Sequence, residues 1–221
     1  MSSATRLYLV RHGATQSTAE DRFSGANTVE LSDEGRWQAA QLGTRLQKEG
    51  IKAVYCSPYS RTVETARIIA DPCGLSVVPR PGLEEISHGH WEGRTRAEVE
   101  AQFGTEYSSW EEDPFTFAPS GGESGVQVLA RALPVLRSIV TAHPGEHVLV
   151  VSHKATIRLL ISSLLGFDAR GYRDRLDMAP ASMSVIDFVD PAKARLMLFN
   201  DTSHYSSQPR VTGKNLSAWT A

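Results

Sequence analysis

The sequence has little of what marks a secreted or membrane protein. It contains two cysteines, Cys56 and Cys73, and neither lies in a paired metal-ligand spacing. The first residues, MSSATRLYLV, lack both the basic start and the long apolar run of a signal peptide. The longest apolar runs are far shorter than the roughly 20 residues of a membrane-spanning helix. We therefore expect a reduced, cytoplasmic protein that does not enter a membrane.

The sequence also lacks an excess of charge of one sign. Lys and Arg number 23 against 25 Asp and Glu, which gives a formal net charge of −2. No global basic field draws such a chain onto nucleic acid or an anionic membrane, so any anion must be recognised locally. With 221 residues, 41% of them hydrophobic, the chain has the size of one ordinary globular domain, which we predict to cover residues 1–221. The sequence makes no prediction of the oligomeric state.

Apolar strand-like segments alternate with helix-like segments along most of the chain. In the helix-like segments apolar residues recur at i, i+3, i+4 and i+7, as Ile157, Leu160, Ile161 and Leu164 do. This alternation predicts an α/β fold with a mostly parallel sheet. The predicted strands cover residues 6–10, 52–56, 75–79, 147–151, 182–189 and 195–200. The predicted helices cover residues 33–48, 58–71, 122–142 and 155–165, with short helices in an irregular region at 83–118.

Several of the predicted helices carry capping signals. Ser32 is predicted to cap the helix that follows it, and Ser57 followed by Pro58 predicts a second N-cap. The sequence SGGE at 120–123 fits a capping box for the long helix. Pro134 lies inside that helix, and we expect it to kink or split the helix.

Three of the predicted strands end in charged or imidazole side chains. The sequences that follow them are RHG (11–13), SPYSR (57–61) and SHK (152–154). The carboxyl ends of parallel strands lie at one edge of a sheet, and ligands bind at that edge in open α/β folds. The side chains expected to meet there are Arg11, His12, Arg61 and His153. Two arginines and two histidines suit a compact dianion such as phosphate, and the helix N-termini after Ser57 and His153 are expected to add backbone N–H groups.

A histidine beside two guanidinium groups suits covalent phosphoryl transfer. The cations disfavour a protonated imidazole, so His12 stays neutral and nucleophilic. It can attack phosphorus in line while the cations hold the phosphoryl oxygens. The leaving alkoxide needs a proton, and GLEEISHGHWEG (82–93) offers Glu84 or Glu85 as its donor. A carboxyl beside a bound dianion keeps its proton more readily, as a general acid must.

The remaining histidines allow more than one interpretation. His88 and His90 form an H-x-H pair, but no third metal ligand is evident near them, so a place at the substrate rim or the surface is favoured. His204, in NDTSHY, either folds back over the cleft or belongs to the tail.

The ordered motifs resemble the signature of the histidine phosphatase superfamily, also called phosphoglycerate mutase-like. These motifs are LVRHGAT, LSDEGRWQA, YCSPYSRTVETA, LEEISHGHWEG, SGGES and VLVVSHKATIRLL, and the resemblance extends from about residue 6 to 165. It implies a three-layer α/β/α sandwich with a mixed, mainly parallel sheet. It also implies chemistry that requires no metal and no other cofactor.

The resemblance implies a role for each matching residue. His12 is implied to be the nucleophile that becomes phosphohistidine. Glu85, rather than Glu84, is implied to donate the proton and later to activate water. The residues implied to clamp the phosphoryl group are Arg11, Arg61 and His153.

Some positions depart from the family pattern and concern the substrate. Thr18 stands where the family often has an asparagine near the phosphate, and its hydroxyl can still donate one hydrogen bond. Lys154 replaces the glycine usual after the second histidine, and its ammonium either reaches a substrate carboxylate or lies in solvent. FSG (23–25) resembles the loop that closes over the substrate, which makes Ser24 and Gly25 candidate substrate contacts.

We therefore predict a phosphatase that acts on a small phosphomonoester, the only partner that the sequence indicates. Lys154, His204 and the motif HGHW favour a carboxylate-bearing substrate such as phosphoserine or phosphoglycerate. A phosphoglycerate mutase is the alternative, but similar mutases usually carry a longer insertion between the acid and the second histidine. Here Glu85 and His153 are 68 positions apart. A non-catalytic phospho-ligand binder is a third possibility, and such a protein has no use for a proton donor.

Overall fold

The apolar segments predicted to be strands form a six-stranded sheet within residues 4–16, 22–26 and 29–206, which the structure, a computed structural model, describes. The strands are β1 (Thr5–Arg11), β2 (Ile51–Cys56), β3 (Val77–Pro79), β4 (His147–Ser152), β5 (Met183–Asp190) and β6 (Lys193–Asp201). Their order across the sheet is β3-β2-β4-β1-β5-β6. The first four strands run parallel, and β5 and β6 are antiparallel to their neighbours.

The helices follow the strands in alternation. They are α1 (Asp33–Leu46), α2 (Ser60–Ala70), α3 (Arg96–Glu112), α4 (Gly125–Ala142), α5 (Lys154–Leu165) and α6 (Tyr172–Arg175). Short 3-10 turns lie at Asp71–Cys73, Gly89–Trp91 and Ala169–Gly171.

Strand β1 shows how the sheet divides the core into two faces. Successive side chains of a strand point to opposite sides. Leu7 and Leu9 are buried in the core cluster that contains residues of α4 and α5. Tyr8 and Val10 are buried in the cluster that contains residues of α1 and α2. Helices therefore cover both faces, and the predicted three-layer α/β/α sandwich with a mixed, mainly parallel sheet is confirmed.

The central strands bring three chain segments to one edge of the sheet. β4 lies between β2 and β1, and their last residues pair in register, Arg11 with Ser152 and Cys56 with Val151. The segments that begin at His12, Ser57 and His153 therefore leave the sheet side by side.

Capping was predicted correctly for α1 and wrongly for two other helices. Ser32 caps α1, and its Oγ accepts the backbone N–H of Gly35 at 3.1 Å. Helix α4 begins later than predicted, with Ser124 as its cap. The side chain of Gln127 reaches back to the Ser124 amide at 2.8 Å, so this pair forms the capping box instead of SGGE. Helix α2 begins at Ser60 and not at 58.

The interior of helix α4 also departs from the expectation. Helix α4 runs through Pro134 as one element, so a split there is wrong. Proline removes one helical hydrogen bond, and the buried contacts of Leu136 and Ile139 hold the turns that follow it. Helix α3 is kinked at Phe103, whose backbone is not helical, so it consists of two short helical segments, as predicted for 83–118. It packs through an aromatic cluster around Trp91 and Trp110.

Among the described residues, α4 is the helix long and apolar enough to cross a membrane by length and composition, which the sequence analysis did not expect. Leu136, Ile139 and Val140 lie in the buried core. Arg131, on the same helix, donates to the backbone carbonyl of Gly82. These are the contacts of a core helix.

Candidate active site

The loop after β1 is held by a close approach of two glycines. A Cβ atom on Gly13 would lie 2.4 Å from the carbonyl oxygen of Gly35, and one on Gly35 would lie 2.1 Å from that of Ala14. Only residues without a side chain allow this backbone contact. The amide of Gly13 also donates to Thr65 Oγ1 at 3.2 Å, and the amide of Ala14 donates to Gln38 Oε1 at 3.1 Å. The loop that carries His12 is therefore fixed by α1 and α2.

His12 is oriented with one ring nitrogen engaged. Its Nδ1 lies 2.8 Å from the carbonyl oxygen of Gly13. A carbonyl can only accept, so Nδ1 carries the proton and Nε2 carries the lone pair of the neutral ring. Burial, with the charges of Arg11 and Arg61, holds the pKa of His12 well below its ordinary value. His12 is thus neutral at pH 7, and it lines a cavity of about 280 Å³.

Arg11 and Arg61 lie in the wall of the same cavity. Arg11 is anchored through Nη1, which donates to the carbonyl oxygen of Met178 at 2.6 Å. Arg61 is 2% exposed, and its Nη2 donates to the carbonyl oxygen of Gly25 at 2.7 Å. Its guanidinium also lies 5.0 Å from the ring centre of Tyr59. Two fixed guanidinium groups thus flank the neutral imidazole.

His153 lies behind His12 and outside the residues that line the cavity. The two ring centres are 5.2 Å apart, and His153 is fully buried. Its Nε2 meets the hydroxyl of Ser57 at 2.8 Å. The prediction that Ser57 caps a helix is therefore wrong, because its side chain bonds the second histidine instead. Burial, Arg61 and His12 hold the pKa of His153 well below its ordinary value.

The two candidate acids occupy different environments. Glu85 lines the cavity, and its carboxylate accepts the amides of Ile86 (3.0 Å), Ala155 (3.1 Å) and Thr156 (3.2 Å). The first-turn amides of α5 therefore face Glu85, and the expectation that they face the phosphate is wrong. Glu84 is outside the cavity lining, and its Oε2 accepts the amide of Gly82 at 2.6 Å.

The loop that carries these acids is supported by a buried network that the sequence did not indicate. Arg131 on α4 donates to the carbonyl oxygens of Gly82 (3.0 Å), Glu84 (2.9 Å) and Glu85 (3.0 Å). Its guanidinium also forms a bidentate pair with Glu123, at 2.8 and 2.9 Å. One arginine thus holds three backbone carbonyls of this loop.

The residues predicted to contact the substrate are placed differently from one another. Ser24 lines the cavity. Gly25 is outside the cavity lining, and its carbonyl oxygen accepts the hydrogen bond from Arg61. The amides of Gly25 and His88 both donate to Glu92, at 2.9 and 2.8 Å, so this carboxylate links the 24–26 loop to the acid loop. Thr18 lies outside the described residues.

The far end of the cavity combines aromatic rings with further cations. Phe23, His88 and Trp110 line it. The rings of Phe23 and His88 meet edge to face at 4.8 Å. Burial, with the charge of Arg96, lowers the pKa of His88 to about 4. The additional cationic residues in the lining are Arg22, Arg96, Arg158 and Arg173.

Lys154 and Arg158 stand one turn apart on α5, and both line the cavity. They share the carboxylate of Asp177, whose Oδ1 is 3.4 Å from Lys154 Nζ and 3.5 Å from Arg158 Nη2. Burial and the charges of Arg158 and Arg11 lower the pKa of Lys154 to about 7. Lys154 thus faces the cavity rather than bulk solvent. Arg158 was missed, although its spacing of four residues from Lys154 is the helical signal that predicts a shared face.

The other histidines lie in different parts of the structure. His90 contacts the carbonyl oxygen of Ser120 at 2.9 Å and Glu106 at 3.0 Å, outside the cavity lining that contains His88. The described residues contain no group of three or more potential metal ligands. His204 is outside the cavity lining, and its neighbour Tyr205 bonds the carbonyl oxygen of Pro180 at 2.7 Å.

Comparisons with known proteins show which family this chain resembles over most of its length. A model of the histidine phosphatase superfamily (branch 1) matches residues 7–202. Phosphoserine phosphatase 1 of Hydrogenobacter thermophilus is 34% identical over 163 residues, which cover 74% of this chain and 77% of that protein. The probable phosphoglycerate mutase GpmB of Cronobacter sakazakii is 35% identical over 190 residues, which cover 83% of this chain and 85% of that protein.

A solved structure with the same architecture is that of Bacillus stearothermophilus YhfR. It superposes with a TM-score of 0.85 at 32% identity, covering 91% of this chain and 99% of that one. Three mycobacterial relatives at 35% identity are longer, and the chain spans 55% of each. The chain belongs to the histidine phosphatase superfamily, as its motifs predicted, and its relatives carry the names of both phosphatases and mutases.

Proposed function

We propose that this enzyme is a phosphatase that hydrolyses a small phosphomonoester through a phosphohistidine on His12. The observation that carries the proposal is the neutral ring of His12. Its Nδ1–H donates to the carbonyl oxygen of Gly13, which leaves the lone pair on Nε2 available for attack. Arg11 and Arg61 flank the ring, and Glu85 lines the same cavity.

In the first step, Nε2 of His12 attacks phosphorus while the bond to the ester oxygen breaks. Arg11, Arg61 and His153 hold the phosphoryl oxygens as negative charge redistributes. The Nδ1 of His153 has no hydrogen-bond partner among the described residues, which supports this role. Glu85 gives its proton to the departing alkoxide, which leaves as the alcohol.

In the second step, the carboxylate of Glu85 takes a proton from water, and the hydroxide attacks phosphorus. The bond between phosphorus and Nε2 breaks, which releases inorganic phosphate and restores the neutral ring. In both steps Nδ1 keeps its proton, which is hydrogen-bonded to the carbonyl oxygen of Gly13. The phosphorylated ring therefore carries a positive charge, and this charge makes the imidazole a good leaving group.

The substrate is proposed to be small and to carry a carboxylate. The cavity of about 280 Å³ suits a metabolite rather than a peptide or a nucleic acid. Lys154 and Ser24 lie in its lining and are proposed to contact the alcohol part, as is Thr18. Phosphoserine and phosphoglycerate are substrates of this class.

A direct test is turnover of 4-nitrophenyl phosphate together with trapping of the phosphoenzyme. The wild-type protein is expected to release phosphate and to form an acid-labile, alkali-stable adduct. His12→Ala is expected to lower kcat by about 10⁴-fold or more and to abolish the adduct, because the nucleophile is lost. Hydrolysis by His12→Ala at the wild-type rate would refute the proposed nucleophile.

A phosphoglycerate mutase is the second candidate, since GpmB of Cronobacter sakazakii is similar to this chain over most of its length. The same phosphohistidine would then return its phosphoryl group to another hydroxyl of the substrate. Assays of free phosphate and of phosphoglycerate isomerisation, with and without bisphosphoglycerate, separate the two. Activity that appears only after priming by bisphosphoglycerate would identify a mutase.

Binding of phosphate without turnover or adduct would instead identify a non-catalytic binder. The set of nucleophile, cations and acid in one cavity argues against it. A cytoplasmic location is part of the proposal, and both cysteines are free thiols, as a reducing compartment keeps them.

A further inference from the structure

A buried arginine in the cavity wall, close enough to Arg11 for their charges to interact, has no part in the chemistry at His12. Arg158 is 4% exposed and lines the cavity, yet its Nε and Nη2 have no hydrogen-bond partner among the described residues. A guanidinium has five N–H donors, and burying such donors without acceptors costs free energy. The described residues of the protein therefore leave Arg158 short of acceptors.

The neighbours of Arg158 do not satisfy it. Asp177 lies 3.5 Å from its Nη2, well beyond the usual length of a charge-assisted hydrogen bond, and shares the same oxygen with Lys154 at 3.4 Å. With Lys154 protonated, the three groups sum to one positive charge. Arg11 adds a further positive charge nearby and disfavours the charged form of Arg158.

Other cations in the cavity wall have partners of their own. Arg173 donates to the carbonyl oxygens of Trp110 (3.2 Å) and Glu111 (2.9 Å), and its Nε donates to Asp174 at 2.9 Å. Arg96 lies 3.7 Å from Glu111 and stacks on Trp110 at 5.4 Å. Among the described residues of this wall, Arg158 has two buried nitrogens without an acceptor, whereas Arg11 has one, its Nε.

We propose that Arg158, with Lys154, forms a second anion subsite, which binds a carboxylate on the same small substrate whose phosphoryl group lies at His12. A carboxylate carries one negative charge, which neutralises the net positive charge of Lys154, Arg158 and Asp177. Its two oxygens also match the two parallel N–H groups of a guanidinium. The subsite rests on the proposed function and names the group that selects its substrate. Since the cavity is small, the two anions are only a few bonds apart.

The kinetic test compares two substrates that differ only in this group. 3-Phosphoglycerate carries the carboxylate, and glycerol 3-phosphate has a hydroxymethyl group in its place. Arg158→Gln is expected to lower kcat/KM for 3-phosphoglycerate by about 30-fold or more, mainly through KM, and for glycerol 3-phosphate by less than about threefold. Arg137→Gln, an exposed arginine on α4, is the matched control and is expected to change neither value.

Binding without turnover keeps the test independent of the chemistry. In a His12→Ala background, calorimetry is expected to show 3-phosphoglycerate binding about tenfold or more tightly than glycerol 3-phosphate. Arg158→Gln in the same background is expected to reduce that preference to less than about threefold. Arg158→Lys keeps the charge but not the fork, so it is expected to retain part of the preference. It also serves if the glutamine variant does not fold.

Each other result overturns the subsite or the function separately. Equal losses with both substrates would mean a purely structural role for Arg158. If Arg158→Gln lowers kcat/KM for glycerol 1,3-bisphosphate and not for 3-phosphoglycerate, the subsite binds a second phosphate and the carboxylate assignment is wrong. If aryl phosphate is not hydrolysed but the binding preference holds, the proposed function fails and the subsite stands.

Discussion

The two ends of the cavity are built from different kinds of structural element. At the phosphate end, Arg11 ends β1 and His12 follows it, His153 follows the neighbouring strand β4, and Arg61 lies in the first turn of the helix after β2. Each is fixed by contacts to backbone or to a buried hydroxyl. In the rest of the cavity wall, which we call the far end, Phe23 comes from a loop, Trp110 from α3 and Arg158 from the second turn of α5. There Nε and Nη2 of Arg158 have no acceptor within the part of the chain that the structure describes.

This difference teaches where chemistry and selectivity reside in the molecule. Groups placed by the sheet are rigid, which suits a reaction common to every substrate. Groups placed by helices and loops can differ without disturbing the sheet, which suits recognition of one alcohol among many. We therefore expect changes at the phosphate end to affect all substrates and changes at the far end to affect some.

After the loss expected for His12→Ala, the largest effect is expected at Glu85, which lines the cavity. Glu85→Gln is expected to lower kcat by about 10²- to 10³-fold for an alkyl phosphate, because an alkoxide cannot leave without a proton. For 4-nitrophenyl phosphate, whose leaving group is stable as an anion, the loss is expected to be below about tenfold. Steady-state kinetics with both esters provide the measurement.

Glu84→Gln is the matched control for this comparison. Its carboxylate lies outside the cavity lining and bonds the amide of Gly82, so both esters are expected to turn over at nearly the wild-type rate. Similar losses with good and poor leaving groups in Glu85→Gln would contradict the proton-donor role.

A smaller effect is expected from the support of the phosphate end. Gly35→Ala places a methyl group 2.1 Å from the carbonyl oxygen of Ala14, so the His12 loop must move. We expect a loss of about 2–4 kcal/mol in the free energy of unfolding. Turnover should fall by the same factor for 3-phosphoglycerate and glycerol 3-phosphate. Denaturant titration and kinetics measure the two effects.

Gly104→Ala on α3 is the control, since nothing lies within 4 Å of the added Cβ. It is expected to leave stability unchanged or to raise it by up to about 1 kcal/mol. A Gly35→Ala protein as stable as the wild type would show that the glycine contact does not hold the loop.

The smallest effect concerns pH and the far end. His88, with a pKa of about 4 when folded and an ordinary value near 6.5 when unfolded, takes up a proton more readily in the unfolded chain. Its contribution to stability is therefore lost as pH falls from about 6.5 to about 4. His88→Gln removes this group, so between pH 7 and pH 5 the variant should lose about 1–2 kcal/mol less than the wild type. Urea titrations at the two pH values test this, and an identical pH dependence would contradict it.

The phosphate end could be predicted from the sequence because its residues stand at fixed points, immediately after apolar strands. Once a parallel sheet is inferred, His12 and His153 must leave it at the same edge. The family resemblance supplied the antiparallel strands of the mixed sheet and the preference for Glu85 over Glu84. The structure adds a physical distinction between those acids, since only one of them lines the cavity.

The far end could not be predicted because its residues carry ordinary local signals. Ser57 before a proline has the pattern of a helix cap, and only the fold shows that its hydroxyl meets His153. Arg131 and Arg158 are single arginines on apolar helices, whose burial depends on packing with distant segments. The bounds of α3 could not be predicted because aromatic contacts, rather than a regular apolar stripe, hold it in place.

Arg61 is held by a hydrogen bond to the 24–26 loop, so the two are expected to move together. The guanidinium is tied to the Gly25 carbonyl, and the amide on the other side of that residue is tied to Glu92. A change in the length of this loop would thus shift a phosphate ligand as well as the entrance to the cavity. Evolution or engineering that reshapes the entrance must therefore preserve three residues of backbone, whatever alcohol the enzyme releases.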